Sequence, residues 1–527
     1  MKHTSSSFAA PALAGVLAAG LALGIGHFVA AATGPATSPL VTVGGVLIDS
    51  TPQALKAFAI ETFGTADKVV LLGGIVAALA GVAALLGVVA ARRPAIGAAG
   101  IAIFGVVGTV AALTRPNATP DHALPALAGA AAAAIALVAL VQALRPSTPA
   151  LMPASPPAPT MLRPEAPQPG RRTFLARAAG VAAITVASGV VGSLLQSRPG
   201  RAPGPLALPA LADPAASVDP ATVLGVDGIS PFVTPNADFY RVDIALVPPV
   251  IDVTSWRLRI HGMVEREVSL TWDDLLELPL VERNLTLACV SNQVGGPYVG
   301  NARWIGVRLA DVLAEAGVQL GSGASAGADQ LVSRGADGIT IGTPTAIALD
   351  GRDSILAIAM NGEPLPVEHG APVRMIVPGL FGYVSATKWL TELELTTFNA
   401  YDTYWVERGW AVEAPVRTMS RIDTPRPLAT VPGNATVQIG GVAWAQHRGI
   451  TAVEVRVDDG PWRPARLGAV DTIDTWRQWS IDWTPTSGRH SLSVRATDGS
   501  GQLQPEERAE PFPSGATGWH TVVVTAS

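Results

Sequence analysis

The sequence has one cysteine, Cys289, in 527 residues. No internal disulfide can form, and there is no CxxC to start a structural zinc site and no CxxCH to attach a haem. Aromatic residues are only 5% of the chain, and all 12 tryptophans fall between Trp256 and Trp519. Charged residues make up 15% against 49% hydrophobic, an uncommon balance for a wholly water-soluble protein. The net charge of −5 argues against nucleic acid as a partner. No flavin or nicotinamide module is recognisable. The first 200 residues are mostly Ala, Gly, Val and Leu. These deficits divide the chain into a membrane half and a soluble half.

Four apolar runs, 8–32, 69–91, 95–113 and 123–144, are each long enough to cross a bilayer. Residues 52–63, in the loop after the first run, read as a short amphipathic helix at the membrane surface. Arg92 and Arg93 lie between the second and third runs; Arg145, Arg163, Arg171 and Arg172 follow the fourth. The opposite loops carry only Lys56, Lys68 and Arg115. Positive loops face the cytoplasm, so the N-terminus is expected inside. A Pro-rich linker, 151–170, leads to Arg-Arg-Thr-Phe-Leu at 171–175 and an apolar run at 178–195. The pattern resembles a twin-arginine export signal. The alternative is that the two arginines mark the cytoplasmic end of a fifth span. Either way, five spans place everything after about residue 200 outside the cytoplasm. His27 and His122 sit near the outer ends of the first and fourth spans and could ligate a haem b; two interfacial histidines is the plainer reading.

A second Pro/Ala-rich linker precedes the soluble half. Residues 256–264 alternate like a strand, and 269–279 read as a short helix with Thr271 and Asp274 at capping-box spacing. Asp273 and Asp274 are therefore helix-start residues rather than a catalytic pair. Residues 309–316 form another short helix. Strands mixed with short helices argue an α+β domain. From 429 onward, Val437/Ile439, Val453/Val455/Val457, Ile481/Trp483 and Leu492/Val494 alternate between turns, which argues an antiparallel β-sandwich. The expected domains are a four-span region (1–146), a linker with the arginine motif and fifth helix (147–200), a linker (201–220), the α+β domain (221–412) and the sandwich (413–527).

Cys289 ends the stretch Leu-Thr-Leu-Ala-Cys at 285–289 and is followed by Val-Ser-Asn, with Gly295 and Gly296 just beyond. The thiol thus sits where a strand opens into a polar, glycine-rich loop. It is either a small buried hydrophobe or a soft ligand for a transition metal. The run from Cys289 through Asn-Ala-Arg-Trp-Ile-Gly-Val-Arg-Leu at 301–309 resembles the molybdenum-binding segment of the sulfite oxidase family. Two further segments resemble that family in the same order: 234–241 (Thr-Pro-Asn-Ala-Asp-Phe-Tyr-Arg) and 360–390, which runs from Met-Asn-Gly-Glu-Pro to Ser-Ala-Thr-Lys-Trp-Leu. The resemblance covers roughly residues 225–525. After the α-helical membrane region read from the apolar runs, it implies a sulfite-oxidase-type molybdopterin domain, then an immunoglobulin-like sandwich of the kind that dimerises.

It also implies a molybdenum–molybdopterin cofactor with Cys289 as metal ligand and catalytic centre. Asn236, Phe239, Tyr240 and Arg241 would meet the pterin. Arg374 would grip its phosphate as a bidentate fork, with Lys388, Ser385 and Thr387 completing the cradle and His369 adding a hydrogen bond. Where the family places anion-holding arginines, this chain has Val290 after the cysteine and Val384 in the later motif. Sulfite is therefore a doubtful substrate unless Arg303 or Arg334 compensates; Tyr298 is a further candidate pocket residue. The expected activity is two-electron oxygen-atom transfer on a small or protein-bound substrate, with a separate electron carrier. The alternatives are an S- or N-oxide reductase, such as one acting on methionine sulfoxide, and a membrane-anchored binding protein that has lost its cofactor.

Overall fold

The computed structural model describes residues 6–52, 55, 62, 67–115, 118–144, 169–196, 209–318, 321 and 323–527. The chain divides into two compact units, Met1–Pro199 with Ala245–Pro249, and Gly200–Ile244 with Val250–Ser527. Most of the surface helix expected over 52–63, the linker 151–168 and residues 197–208 lie outside the described residues.

Among the described residues of the first unit, five helices are long and apolar enough to cross a membrane: Phe8–Thr33, Val70–Arg92, Pro94–Leu113, Pro120–Leu144 and Arg172–Gln196. The last of these helices starts at Pro169, so Arg171 and Arg172 belong to its first turn instead of preceding it. A sixth apolar helix, Pro39–Ser50, was not expected. Its 12 residues are too short to span, and Pro39 starts it because the first helical position has no use for an N–H. Glycines set the packing. A Cβ on Gly15 would lie 1.9 Å from the Ala83 carbonyl oxygen, and one on Gly87 would lie 2.1 Å from that of Pro11. Two helix backbones therefore touch where a side chain would hold them apart. His27 Nε2 lies 3.2 Å from Ser193 Oγ, and Gln196 Nε2 lies 3.4 Å from His27 Nδ1. Both ring nitrogens of His27 thus meet polar side chains of the last helix.

The second unit holds four sheets, with strands numbered in chain order. The first has the order β2-β1-β10-β5-β6: β1 Arg257–Gly262, β2 Val268–Thr271, β5 Gln330–Gly335, β6 Thr340–Pro344 and β10 Leu390–Thr396. The second has the order β3-β4-β7-β8, with β9 also on β7: β3 Leu280–Ala288, β4 Val299–Arg308, β7 Ile355–Met360, β8 Glu363–Pro364 and β9 Arg374–Ile376. The helix Trp272–Glu277 has the expected capping box: Asp274 N–H donates to Thr271 Oγ1 at 3.1 Å, and Thr271 N–H donates to Asp274 Oδ2 at 2.8 Å. Asp274 caps the helix and Asp273 lies in its first turn, as expected.

The remaining strands make two facing sheets. One is β11 Met419–Thr424, β13 Val437–Trp444, β17 Arg477–Trp483 and β16 Arg466–Leu467. The other is β12 Thr430–Val431, β19 His520–Ala526, β18 Gly488–Asp498, β14 Ile450–Val457 and β15 Arg463–Pro464. Ile439 and Trp479 from one sheet share a core with Val453, Leu492 and Val522 from the other. A second core is continuous across the unit: Trp444 and Trp476 of the sandwich belong to the same cluster as Val290 and Phe381.

Gly87→Leu is expected to destabilise the detergent-solubilised protein by about 1–3 kcal/mol, because the larger side chain must push two backbones apart. A lowered thermal midpoint, unchanged for Gly73→Ala where a Cβ meets nothing within 4 Å, checks this.

Candidate functional site

Strand β3 is buried on both faces near its end, and it delivers Cys289 one residue beyond Ala288. The Cys289 N–H donates to the Tyr298 carbonyl at 2.9 Å, just before β4 begins. The loop between them closes on itself: Tyr298 N–H donates to Asn292 Oδ1 at 2.8 Å, and Asn292 N–H to the Cys289 carbonyl at 3.1 Å. Cys289 is 8% exposed, and Ser291 Oγ lies 2.9 Å from its sulfur. Burial pushes the thiol pKa up, while the Ser291 hydroxyl and nearby backbone amides pull it down. A cation beside the sulfur would reverse the burial effect, because a coordinating thiol is deprotonated.

Strand β4 organises the second segment. Thr234 N–H donates to the Asn301 carbonyl at 2.7 Å, and Asn301 Nδ2 donates to the Phe232 carbonyl at 2.9 Å. Thus anchored, the chain brings Phe239 edge-on to Trp304 and to His369, and stacks it on Tyr240 with 5.3 Å between ring centres. Burial drives the Tyr240 hydroxyl to a raised pKa, and that hydroxyl senses both the Cys289 sulfur and the Arg374 guanidinium. The Tyr298 ring lies 6.4 Å from that of Tyr240. Asn236 is tied to Met360, Asn361 and Glu363, and its carbonyl accepts from His369 Nε2 at 2.9 Å. Burial lowers the His369 pKa, with the two nearby cations adding to the effect, which keeps the ring neutral.

The cations are handled unequally. Lys388 Nζ donates to Asp243 Oδ2 at 2.7 Å, and Arg241 Nε donates to the same oxygen at 3.1 Å. Burial lowers the Lys388 pKa to about 8, opposed by Asp243. Arg374 has no such partner among the described residues. It is buried on β9, over the Trp304 ring at 5.4 Å; its Nη1 reaches only the His369 carbonyl at 3.3 Å, and its Nε has no acceptor. Burial lowers its pKa to about 10, so it stays charged at neutral pH. A buried guanidinium without a counter-charge costs several kcal/mol and calls for an anion. The phosphate of a molybdopterin meets that demand, and a soft buried sulfur meets that of its metal. The residues present fit the cofactor.

Two expected contributors face elsewhere. The Ser385 hydroxyl donates to the Leu380 and Phe381 carbonyls, and the Thr387 hydroxyl bonds Ser333 Oγ. Both side chains are fully buried, so they brace the loop rather than offer hydroxyls to a ligand. Arg303 is drawn to Asn284 and Glu282, and Arg334 is locked to Glu392 and Glu394. Neither replaces the missing anion-holding arginines. Val290 and Val384, at those places, are core residues. Sequence reading missed Asp243 and the support Trp304 gives Arg374, since partners far apart in the chain leave no local pattern.

Asp337 lies beside Lys388 and Asp243, and burial raises its pKa to about 6. A raised carboxyl pKa means the folded state binds the proton more tightly. Stability is then lost as pH rises from about 4 through 6, on the order of 3 kcal/mol. Asp337→Asn is expected to stabilise the protein at pH 7.5 and to have no effect below pH 4, as measured by denaturant unfolding across pH.

Residues 245–405 match the family described as oxidoreductase molybdopterin binding domain. Mitochondrial sulfite oxidase of Homo sapiens is 30% identical over 346 residues, 56% of this chain and 62% of that protein. Sulfite oxidase of Gallus gallus is 30% identical over 326 residues, 53% of this chain and 69% of that protein. Nitrate reductase (NADH) 1 of Oryza sativa subsp. japonica is 30% identical over 337 residues, 52% of this chain and 36% of that protein. The match thus takes in less than two thirds of the human protein's length. With the order of its motifs and the donor set around Arg374 and Cys289, the chain belongs to the sulfite oxidase family of molybdopterin-dependent oxidoreductases.

Proposed function

We propose that this protein is a membrane-anchored, molybdopterin-dependent oxidoreductase working outside the cytoplasm, with Cys289 as the protein ligand to molybdenum. The observation that carries the reading is Arg374, a buried cation with a free Nε and, among the described residues, no acid partner, which acts on the same Tyr240 hydroxyl as the buried sulfur does. When bound, the cofactor supplies two-electron redox chemistry by which an oxygen atom passes to or from a substrate. Arg374 holds its phosphate. Phe239, Tyr240 and neutral His369 wall the pterin and exclude water. Tyr240, protonated well above neutral pH, offers an O–H toward the sulfur side of the pocket. The five apolar helices and the arginine-rich loops support the anchor and its orientation. A separate carrier takes or supplies the electrons, and the sandwich is a candidate dimerisation surface.

The substrate reading favours a neutral S- or N-oxide over sulfite. Val290 and Val384 are buried in the core, and Arg303 and Arg334 are spent on carboxylates. An anion pocket without charge-assisted donors binds weakly.

Protein made in cells that supply the cofactor is expected to carry about one molybdenum and one pterin per chain, with the metal lost or disturbed in Cys289→Ser and pterin lost in Arg374→Met. Wild-type protein carrying neither overturns the reading. With reduced dye, methionine sulfoxide or trimethylamine N-oxide is expected to turn over at least about tenfold faster than sulfite does with ferricyanide; the opposite order rejects the substrate class.

A further inference from the structure

The loop that carries Cys289 is held from outside its own sheets. Arg421, on β11 of the sandwich, donates from Nη1 to the Gly296 carbonyl at 2.8 Å. Its Nη2 donates to Ser230 Oγ at 2.8 Å, and its Nε to Asp423 Oδ1 at 2.6 Å. Asp423 Oδ2 in turn accepts the Ser230 N–H at 2.9 Å. Both members of this ion pair are nearly buried, with side chains 12% and 8% exposed. One guanidinium fork therefore ties two segments together. Gly296 lies in the loop after Cys289, and Ser230 lies just ahead of the segment bearing Asn236, Phe239 and Tyr240. Arginine suits this role because its donors form a rigid plane that serves three acceptors at once.

Other sandwich residues grip the same region. Thr286, three residues before Cys289, donates its N–H to the Asp474 carbonyl at 2.9 Å. Its carbonyl accepts from Gln446 Nε2 at 3.0 Å, and its Oγ1 accepts from the Trp476 N–H at 2.7 Å. On the other side, the His520 ring fills the space above Gly295, where an added Cβ would lie 2.3 Å from Nε2. His520 Nδ1 accepts the N–H of Ile422, the residue after Arg421. The strand before the cysteine and the loop after it are thus both fixed by the sandwich.

We propose that the Arg421–Asp423 pair is a positioning device that sets where Cys289 stands relative to the Asn236–Tyr240 segment, and so sets the ligand geometry of the metal. The metal part of this statement rests on the function proposed above; the clamp on the loop does not. The sandwich is then part of the site's framework as well as a candidate dimerisation surface. Arg421 touches neither cofactor nor substrate in this assignment and acts through the 291–298 loop.

The test compares full-length wild-type protein with Arg421→Lys and with the double variant Arg421→Met/Asp423→Asn, which leaves no buried charge unpaired. In cofactor-free protein, backbone amides of 291–298 are expected to exchange at least about tenfold faster in the double variant, while those of β13, β17 and β18 keep wild-type protection. Arg421→Lys, which keeps the charge but not the fork, is expected to fall between. In loaded protein, the electron paramagnetic resonance spectrum of the one-electron-reduced metal is expected to shift or broaden in the same order. Unchanged loop exchange together with an unchanged spectrum overturns the proposal, even where the unfolding midpoint drops. If the double variant loses protection throughout the sandwich, the loop exchange of Arg421→Lys decides the question alone. Wild-type protein without molybdenum or pterin would reject the function above, yet leave the exchange comparison able to support or overturn the clamp.

Discussion

Nine consecutive residue pairs hold β3 against β4, from Leu280 opposite Val307 to Ala288 opposite Val299. The site depends on this register. Strand side chains alternate faces, so a slip of one residue would turn Trp304 away from Arg374 and Asn301 away from Thr286. In register, Trp304 lies beneath the guanidinium and beside Phe239, and its Nε1 donates to the Leu285 carbonyl at 3.2 Å. Asn301 pins the chain that carries Asn236 and Tyr240. Cys289 and Tyr298 then leave the two strands together at their shared end. The hairpin is a rigid element, and a metal site needs one, because ligand placement must hold to a fraction of an ångström.

The electrostatics follow from burial. Three cationic or basic side chains surround the pocket, and each meets burial differently. Lys388 keeps its charge through Asp243, a carboxylate it shares with Arg241. His369 gives up its charge and uses Nε2 for a backbone carbonyl. Arg374 can do neither, since its pKa stays above neutral and no acid among the described residues reaches it. The unmet demand is concentrated at one guanidinium, which calls for an anion there.

Much was legible in the sequence. The long apolar helices announced themselves through long uncharged runs, and the sandwich strands through period-two alternation. The capping box at Thr271 and Asp274 was readable because its partners are three residues apart. Arg374, His369 and Cys289 stood out as candidates because the motifs that resemble the family keep its order and spacing. The helix Pro39–Ser50 was not, since a short apolar run resembles a loop beside a membrane. Ser385 and Thr387 were read as phosphate donors because a hydroxyl in a motif looks available; the fold turned both inward, toward Leu380, Phe381 and Ser333.

By itself, the sequence determined which residue types can carry the chemistry: one soft thiol, an arginine within a recognisable motif, and valines where the resemblance would place anion-holding arginines. It determined the long apolar helices as well, because hydropathy over about 20 residues is a local property. Only the tertiary structure decided the pairings. Asp243 meets Lys388 across 145 residues, and Arg421 reaches Gly296 across 125. Arg303 and Arg334 were equal candidates in sequence, and the fold assigned both to carboxylates. The physical reason is that charge pairing and hydrogen bonding act over about 3 Å in space and are indifferent to separation along the chain.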